Sequence, residues 1–222
     1  MKILLDIFKP SQLEETPSHF FLFANREKNN KTEIALSKHR DFHSHDSVCI
    51  IFNTGNSLTN YSIVKSHPNK WLFFRLLSKD KKYGHFFRNL DLLSEYIFQK
   101  YFFIPDILDP EFRSGNFLIP TIDYLISKNI DLTNLCHFSI FSSEILTGVK
   151  KRYPKNSKGL GTMSSGLWVY LYLRGQYPKA RFTIVDYTGD IDREYHNAFF
   201  EKGFWASEIL SGRCHAIESF LD

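Results

Sequence analysis

The sequence predicts an α/β fold: a single Rossmann-like domain with a mainly parallel sheet and helices on both faces. Three observations predict it. Short apolar runs recur along the chain, they are continuous rather than alternating, and stretches with helical spacing separate several of them. Continuous runs suit strands buried on both faces, whereas a half-exposed strand alternates. Strand and helix in alternation suit parallel strands joined by crossovers. The 222 residues, 43% of them apolar and 16% aromatic, are enough for one sizeable core and few for two.

In chain order, residues 1 to 46 are polar and irregular, and the spacing predicts an N-terminal extension packed on the domain, with one short strand or helix at most. The domain proper is expected over 47–222. SVCIIFN (47–53), WLFFRLL (71–77), YFFIPDIL (101–108), CHFSIFS (136–142) and RFTIVDY (181–187) are the expected strands. LDLLSEYIFQK (90–100) and IPTIDYLISKN (119–129) carry apolar residues at helical spacing. SSGLWVYLYLRGQ (164–176) is apolar nearly all round, which predicts a buried helix. There is no internal repeat and no low-complexity segment.

Composition narrows the function classes. Lys and Arg exceed Asp and Glu by 28 to 24, a net charge of +4. That suits an anionic small ligand or a phospholipid surface, and no dense basic stripe points to nucleic acid. Three scattered cysteines, Cys49, Cys136 and Cys214, contain no CxxC pair, which favours a reducing compartment. The opening MKILLDIFKP makes a poor signal peptide, and no apolar run reaches the roughly 18 residues of a membrane span. A cytoplasmic protein is expected, with peripheral contact on the inner face of a membrane through basic residues.

Three stretches could carry chemistry. FNTGNSL (52–58) follows an expected strand, and ligands of open parallel sheets bind beyond the strands' carboxyl ends. Its Gly and Asn residues allow positive φ angles and present backbone and amide N–H groups; alone, it also reads as an ordinary turn. In GTMSSGLWVYLYL (161–173), Ser164, Ser165 and Gly166 precede the apolar helix. A serine cap leaves first-turn N–H groups that attract phosphate or carboxylate, though a simple cap on a core helix has the same pattern. EYHNAFFEKGFW (194–205) holds His196 and Glu201. Histidine is the natural general base near neutral pH. Five residues on a helix turn through about 140°, so the two can act together only if His196 lies before or at the helix start.

In this order, the three stretches resemble the large, small and very small motifs of the sialyltransferases. FNTGNSL is similar to the large motif's Gly-Asn-Ser-Gly-Asn-Leu core, with Arg75 near its terminal Arg-Met-Asn. SSGLWVYLYLRGQYPKARFTIVDY resembles the small motif, and HNAFFE the family's His-x4-Glu. The resemblance covers roughly residues 47–77 and 161–208. It implies a nucleotide-sugar-binding domain and an inverting transfer from CMP-sialic acid, or a related CMP-sugar, to a hydroxyl of a glycan such as bacterial lipopolysaccharide. His196 would be the base, with Glu201 beside it. Asn53, Thr54, Gly55, Asn56, Ser164, Ser165 and Gly166 would hold the donor, and Tyr187 or Tyr195 would meet the departing phosphate. Phe52 stands where the family prefers Gly, and a slip of one residue decides between Asn53 and Thr54. The family needs no metal for the chemical step, so no cofactor is implied; the CMP-sugar is a substrate. Leu76 and Leu77 follow Arg75 in place of Met-Asn, and the segment from Ser165 to His196 is short.

Two other readings compete. Asp190-Ile-Asp192 is a D-x-D, which in other glycosyltransferases binds Mn²⁺ or Mg²⁺ with the diphosphate of a nucleotide-sugar. The departures in the motifs also suit a nucleotide-binding homologue without turnover. His39 and His43, with His45 beyond them, could share a metal if helical, but no third ligand accompanies them, and a solvated surface cluster is the plainer reading.

Overall fold

The computed structural model describes residues 16–24, 29–52, 56–75, 96, 98–104, 126–127, 129, 135–137, 148–149, 151–155, 163–187 and 196–217. Within them the chain forms a sheet of seven strands: β1 (His19–Phe23), β2 (Ser47–Phe52), β3 (Lys70–Arg75), β4 (Lys100–Ile104), β5 (Leu135–His137), β6 (Arg181–Val185) and β7 (His215–Ile217). All neighbouring strands are parallel, in the order β5-β4-β3-β2-β1-β6-β7. The chain starts in β1, moves outward to β5, then returns across β1 to add β6 and β7 on the other side. This is a doubly wound α/β sheet, with its change of direction at β1.

The stretch set apart as an extension, residues 1 to 46, therefore contains the strand on which the sheet is built. HFFLF at 19–23 is buried throughout and pairs with β2 on one side and β6 on the other. Residue 47 is no boundary of the sheet. The polar residues around those four apolar ones mask a strand whose stability comes from two neighbours distant in sequence. β7 also escaped the sequence reading, because HAI at 215–217 is short and mostly exposed.

Helices cover both faces. Helix α1 (Asn30–Lys38) is capped by Asn29, whose side chain accepts from the Lys31 N–H, and it places Glu33 in its first turn and Lys38 in its last. A 3₁₀ turn, Arg40–His43, follows. Helices α2 (Asn56–Asn60) and α3 (Ser62–Ser66) lead to β3. Phe21 and Phe23 meet the Phe42 ring from this side, and Phe23 also meets Tyr61. On the other face lie α4 (Ser165–Gln176) and α5 (Ala198–Leu210). Leu167, Val169, Tyr170 and Leu171 of α4 and Trp205 of α5 join Phe20, Leu22, Ile50, Trp71, Phe73, Phe102, Phe182 and Ile184 in one core cluster. Odd and even residues of β1 thus serve opposite cores, which is why the run is unbroken. Each fully buried Phe or Leu contributes about 2 kcal/mol of apolar transfer.

The expected strands begin within a residue of β2 to β6, the stretches 53, 76–77, 105–108 and 138–142 lying outside the described residues, and α4 falls where the apolar stretch predicts it. Of 90–100, Tyr96, Phe98 and Gln99 are non-helical and Lys100 already belongs to β4; residues 90–95 and 97 lie outside the described residues, as does most of 119–129. The histidine segment is not one helix: His39 ends α1 and His43 sits in the 3₁₀ turn, so the i, i+4 geometry for a shared metal does not arise.

Candidate functional site

Crossover helices of a parallel sheet run antiparallel to its strands, so their N-termini gather at the strands' carboxyl edge. Here α1, α4 and α5 all begin at that rim, beside the ends of β1 and β6. The bend that follows β6 delivers one side chain to each face. Asp186 meets Thr32 of α1 and Tyr61, while Tyr187 meets Gly166 of α4 and Trp205 of α5.

On the α4–α5 face the centre is Glu201, in the first turn of α5 and only 1% exposed. Its carboxylate accepts from the Ser164 N–H at 2.7 Å, from the Ser164 hydroxyl, and from the Tyr153 hydroxyl at 2.8 Å. The same Tyr153 oxygen accepts from the Asn197 N–H at 2.9 Å. Burial pushes the Glu201 carboxyl above its ordinary range, while these donors and the nearby His196 pull it back. One carboxylate thus ties the start of α4, the start of α5 and the segment 151–155 together. Asn197 caps α5 by accepting from the Phe200 N–H at 2.9 Å, and half-buried His196 immediately precedes it. His196 therefore lies before the helix, the placement its spacing from Glu201 requires.

Ser164 caps α4, its hydroxyl accepting from the Leu167 N–H at 3.2 Å. Its own N–H and O–H are both given to Glu201, so it has no donor to spare for a ligand. Ser165 and Gly166, next in the first turn, keep backbone N–H groups without a hydrogen bond among the described residues. Gly166 is needed for space. A Cβ there would land 2.9 Å from Cζ of Tyr187 and closer still to its hydroxyl. The Tyr187 phenol, partly buried and near Glu201, is held well above its usual range and stays protonated.

The sequence reading missed Asp186 and its partners. Asp186 is 6% exposed and has a φ of 60°, which non-glycine residues rarely adopt. Its two carboxylate oxygens accept from the Thr32 and Tyr61 hydroxyls, and the Tyr61 oxygen accepts from the Asn29 N–H at 3.0 Å. Burial and the Asp186 carboxylate push the Tyr61 phenol up to about 12. A usable signal existed: an Asp closing an apolar strand lies where ligands of such sheets bind. Its partner Thr32 lay in the stretch set aside as an extension.

Of the remaining expected site residues, Asn53, Thr54, Gly55 and Tyr195 lie outside the described residues, as do Asp190, Asp192 and Glu194. Asn56 begins α2, in the crossover after β2. Among the described residues no group of three His, Cys, Asp or Glu is arranged to hold a metal, and no helix is long and apolar enough to cross a membrane.

Fold and rim together define a parallel α/β protein with a candidate site at its carboxyl edge. Compared with known proteins, the chain matches no family model, no curated sequence and no solved structure.

Proposed function

We propose that this chain is an inverting, metal-independent, sialyltransferase-like glycosyltransferase that takes its sugar from a CMP-activated donor. The observation that carries the reading is the meeting, at one rim, of the His196 segment, Glu201, the first turn of α4 and Tyr187. These are the residues of the small and very small motifs that the sequence resembles. In this reading the acceptor oxygen bonds to the anomeric carbon while the His196 imidazole takes its proton. The bond to the CMP phosphate breaks on the opposite face. The Ser165 and Gly166 N–H groups and the Tyr187 hydroxyl would face the anionic donor. Glu201 positions rather than reacts, since its oxygens are occupied by Ser164 and Tyr153.

Thermal denaturation with CMP, CDP, UDP, GDP and S-adenosylmethionine tests the donor class, because a ligand of the folded state stabilises it by mass action. Stabilisation by cytidine nucleotides alone is expected; preference for UDP or GDP sinks the reading. With a CMP-sugar and acceptor, His196→Ala should lower transfer by about 10²–10⁴-fold while leaving CMP stabilisation intact. Transfer abolished by EDTA and restored by Mn²⁺ would instead favour the Asp190/Asp192 reading.

A further inference from the structure

We infer that the outer stripe of α5, with the basic segment beside its first turn, is a docking surface for an anionic phospholipid membrane. Phe199 is 92% exposed and Leu210 83%, the two most exposed large apolar side chains among the described residues. Eleven residues on a helix return to within about 20° of the same direction, so both lie on one stripe about 16 Å long. Exposed Gly203 lies on it between them, and exposed Lys202 flanks it about 60° round the axis from Phe199. Apolar side chains scattered singly over a surface need no explanation, but two aligned on one helix do.

Charge identifies the occupant. Tyr153 bonds the Asn197 N–H, its ring meets Phe200, and the Lys155 carbonyl accepts from the Asn197 side chain at 3.3 Å. That holds exposed Lys151, Arg152 and Lys155 beside the Phe199 end of the stripe. With Lys202 they make four cations, none with an ion-pair partner among the described residues. Between Glu144 and Asp186 the sequence has no acidic residue at all. Apolar side chains among exposed cations suit the boundary between anionic headgroups and acyl chains. A second copy of the chain seated on the same stripe would set these cations against their own duplicates. The surface adjoins the His196 rim, so a docked molecule would bring that rim to hydroxyls carried on the membrane.

Vesicle sedimentation tests the inference on the full chain. The protein should pellet with vesicles containing phosphatidylglycerol, stay in solution with phosphatidylcholine alone, and be released by salt. Phe199→Ser should weaken binding about tenfold, and Lys202→Glu about fivefold or more. Both side chains are exposed, so both variants should keep the wild-type melting temperature and its response to nucleotides. The membrane inference and the donor reading therefore fail separately. The inference is overturned if phosphatidylglycerol vesicles leave the protein in solution or if the double variant binds as tightly as wild type. It is also overturned if the lipid-free protein dimerises through this stripe, or if heparin binds with the same dependence on Lys202 and none on Phe199.

Discussion

At the scale of single residues, two positions at the end of β6 make opposite demands. Tyr187 needs its neighbour to have no side chain, because its ring fills the space above Gly166. Gly166→Ala should therefore destabilise the fold by about 1–3 kcal/mol through forced overlap. Tyr187→Leu should cost something by itself, yet Gly166→Ala should cost much less in that background. The coupling is read from urea unfolding of the four proteins, and additive effects would show that the contact does not govern the site. Asp186 needs two donors and an unusual backbone. Asp186→Ala leaves the Thr32 and Tyr61 hydroxyls without their acceptor and keeps a Cβ at positive φ, so a loss of about 2 kcal/mol is expected. Asp186→Gly relieves the backbone and should lose less, although glycine usually destabilises more than alanine. The reverse order would mean that the φ of 60° carries no strain.

At the scale of elements, the junction of α4 and α5 rests on two buried glutamates seven residues apart on α5. Glu201 binds the start of α4, while Glu208 accepts from the Tyr170 hydroxyl, from Arg174 at 2.7 Å and from Arg213 at 2.8 Å. The arginines hold the Glu208 carboxyl below its ordinary range; burial raises Glu201. Glu208→Ala leaves the buried Tyr170 phenol without its acceptor while the part-exposed Arg174 and Arg213 turn to water, and about 1–3 kcal/mol of stability should go in urea unfolding. Glu201→Gln should loosen the rim instead. It keeps the shape but places an amide N–H₂ against one of its present donors, so cytidine-nucleotide stabilisation should weaken more than global stability. An equal loss of both would make Glu201 a core residue with no bearing on the rim. These elements also show how far the sequence reaches. The apolar helix α4 and its start were legible because local signals, a serine cap and apolar spacing, coincide with the contacts they make. Thr32 and β1 were not, and of Asp186 only its place at the end of an apolar strand was. Their meaning lies in neighbours more than a hundred residues away, as with Thr32 and Asp186 or Phe20 and Phe182, and no local pattern records that.

At the scale of the whole molecule, the two edges of the sheet differ in what they bury. Among the described residues the carboxyl edge buries the carboxylates of Asp186 and Glu201, held by hydroxyls, while toward the amino edge lie the buried imidazoles of His19 and His67 as well as the Glu208 carboxylate. His19, the first residue of β1, is buried against Phe21 and meets the Thr183 hydroxyl through Nε2 at 2.8 Å. Burial, then the Arg181 charge, lowers its pKa to about 4, against a weaker opposing pull from Asp41 and with small contributions from His39 and His215. The folded chain therefore keeps His19 neutral at pH values where the unfolded chain protonates it. As pH falls from about 6.5 to about 4 the unfolded state binds the extra proton, and stability must fall across that window and level off below it. At 1.36 kcal/mol per pH unit the full loss is roughly 3 kcal/mol. Burial also lowers His67, whose Nε2–H can donate to the Phe42 carbonyl while its Nδ1 accepts from the Asn69 N–H, and His39, and both act in the same direction. Asp41, held below its ordinary range by Arg181, loses its contribution only at lower pH still, so it does not blur the window. Urea unfolding between pH 7 and pH 4 should show the decline, and His19→Gln, which keeps a hydrogen-bonding group but cannot titrate, should flatten much of it. A wild-type stability that holds constant over that range would mean His19 is open to water. The registry of β1 against β6, which seats it beside Thr183, would then have to be wrong.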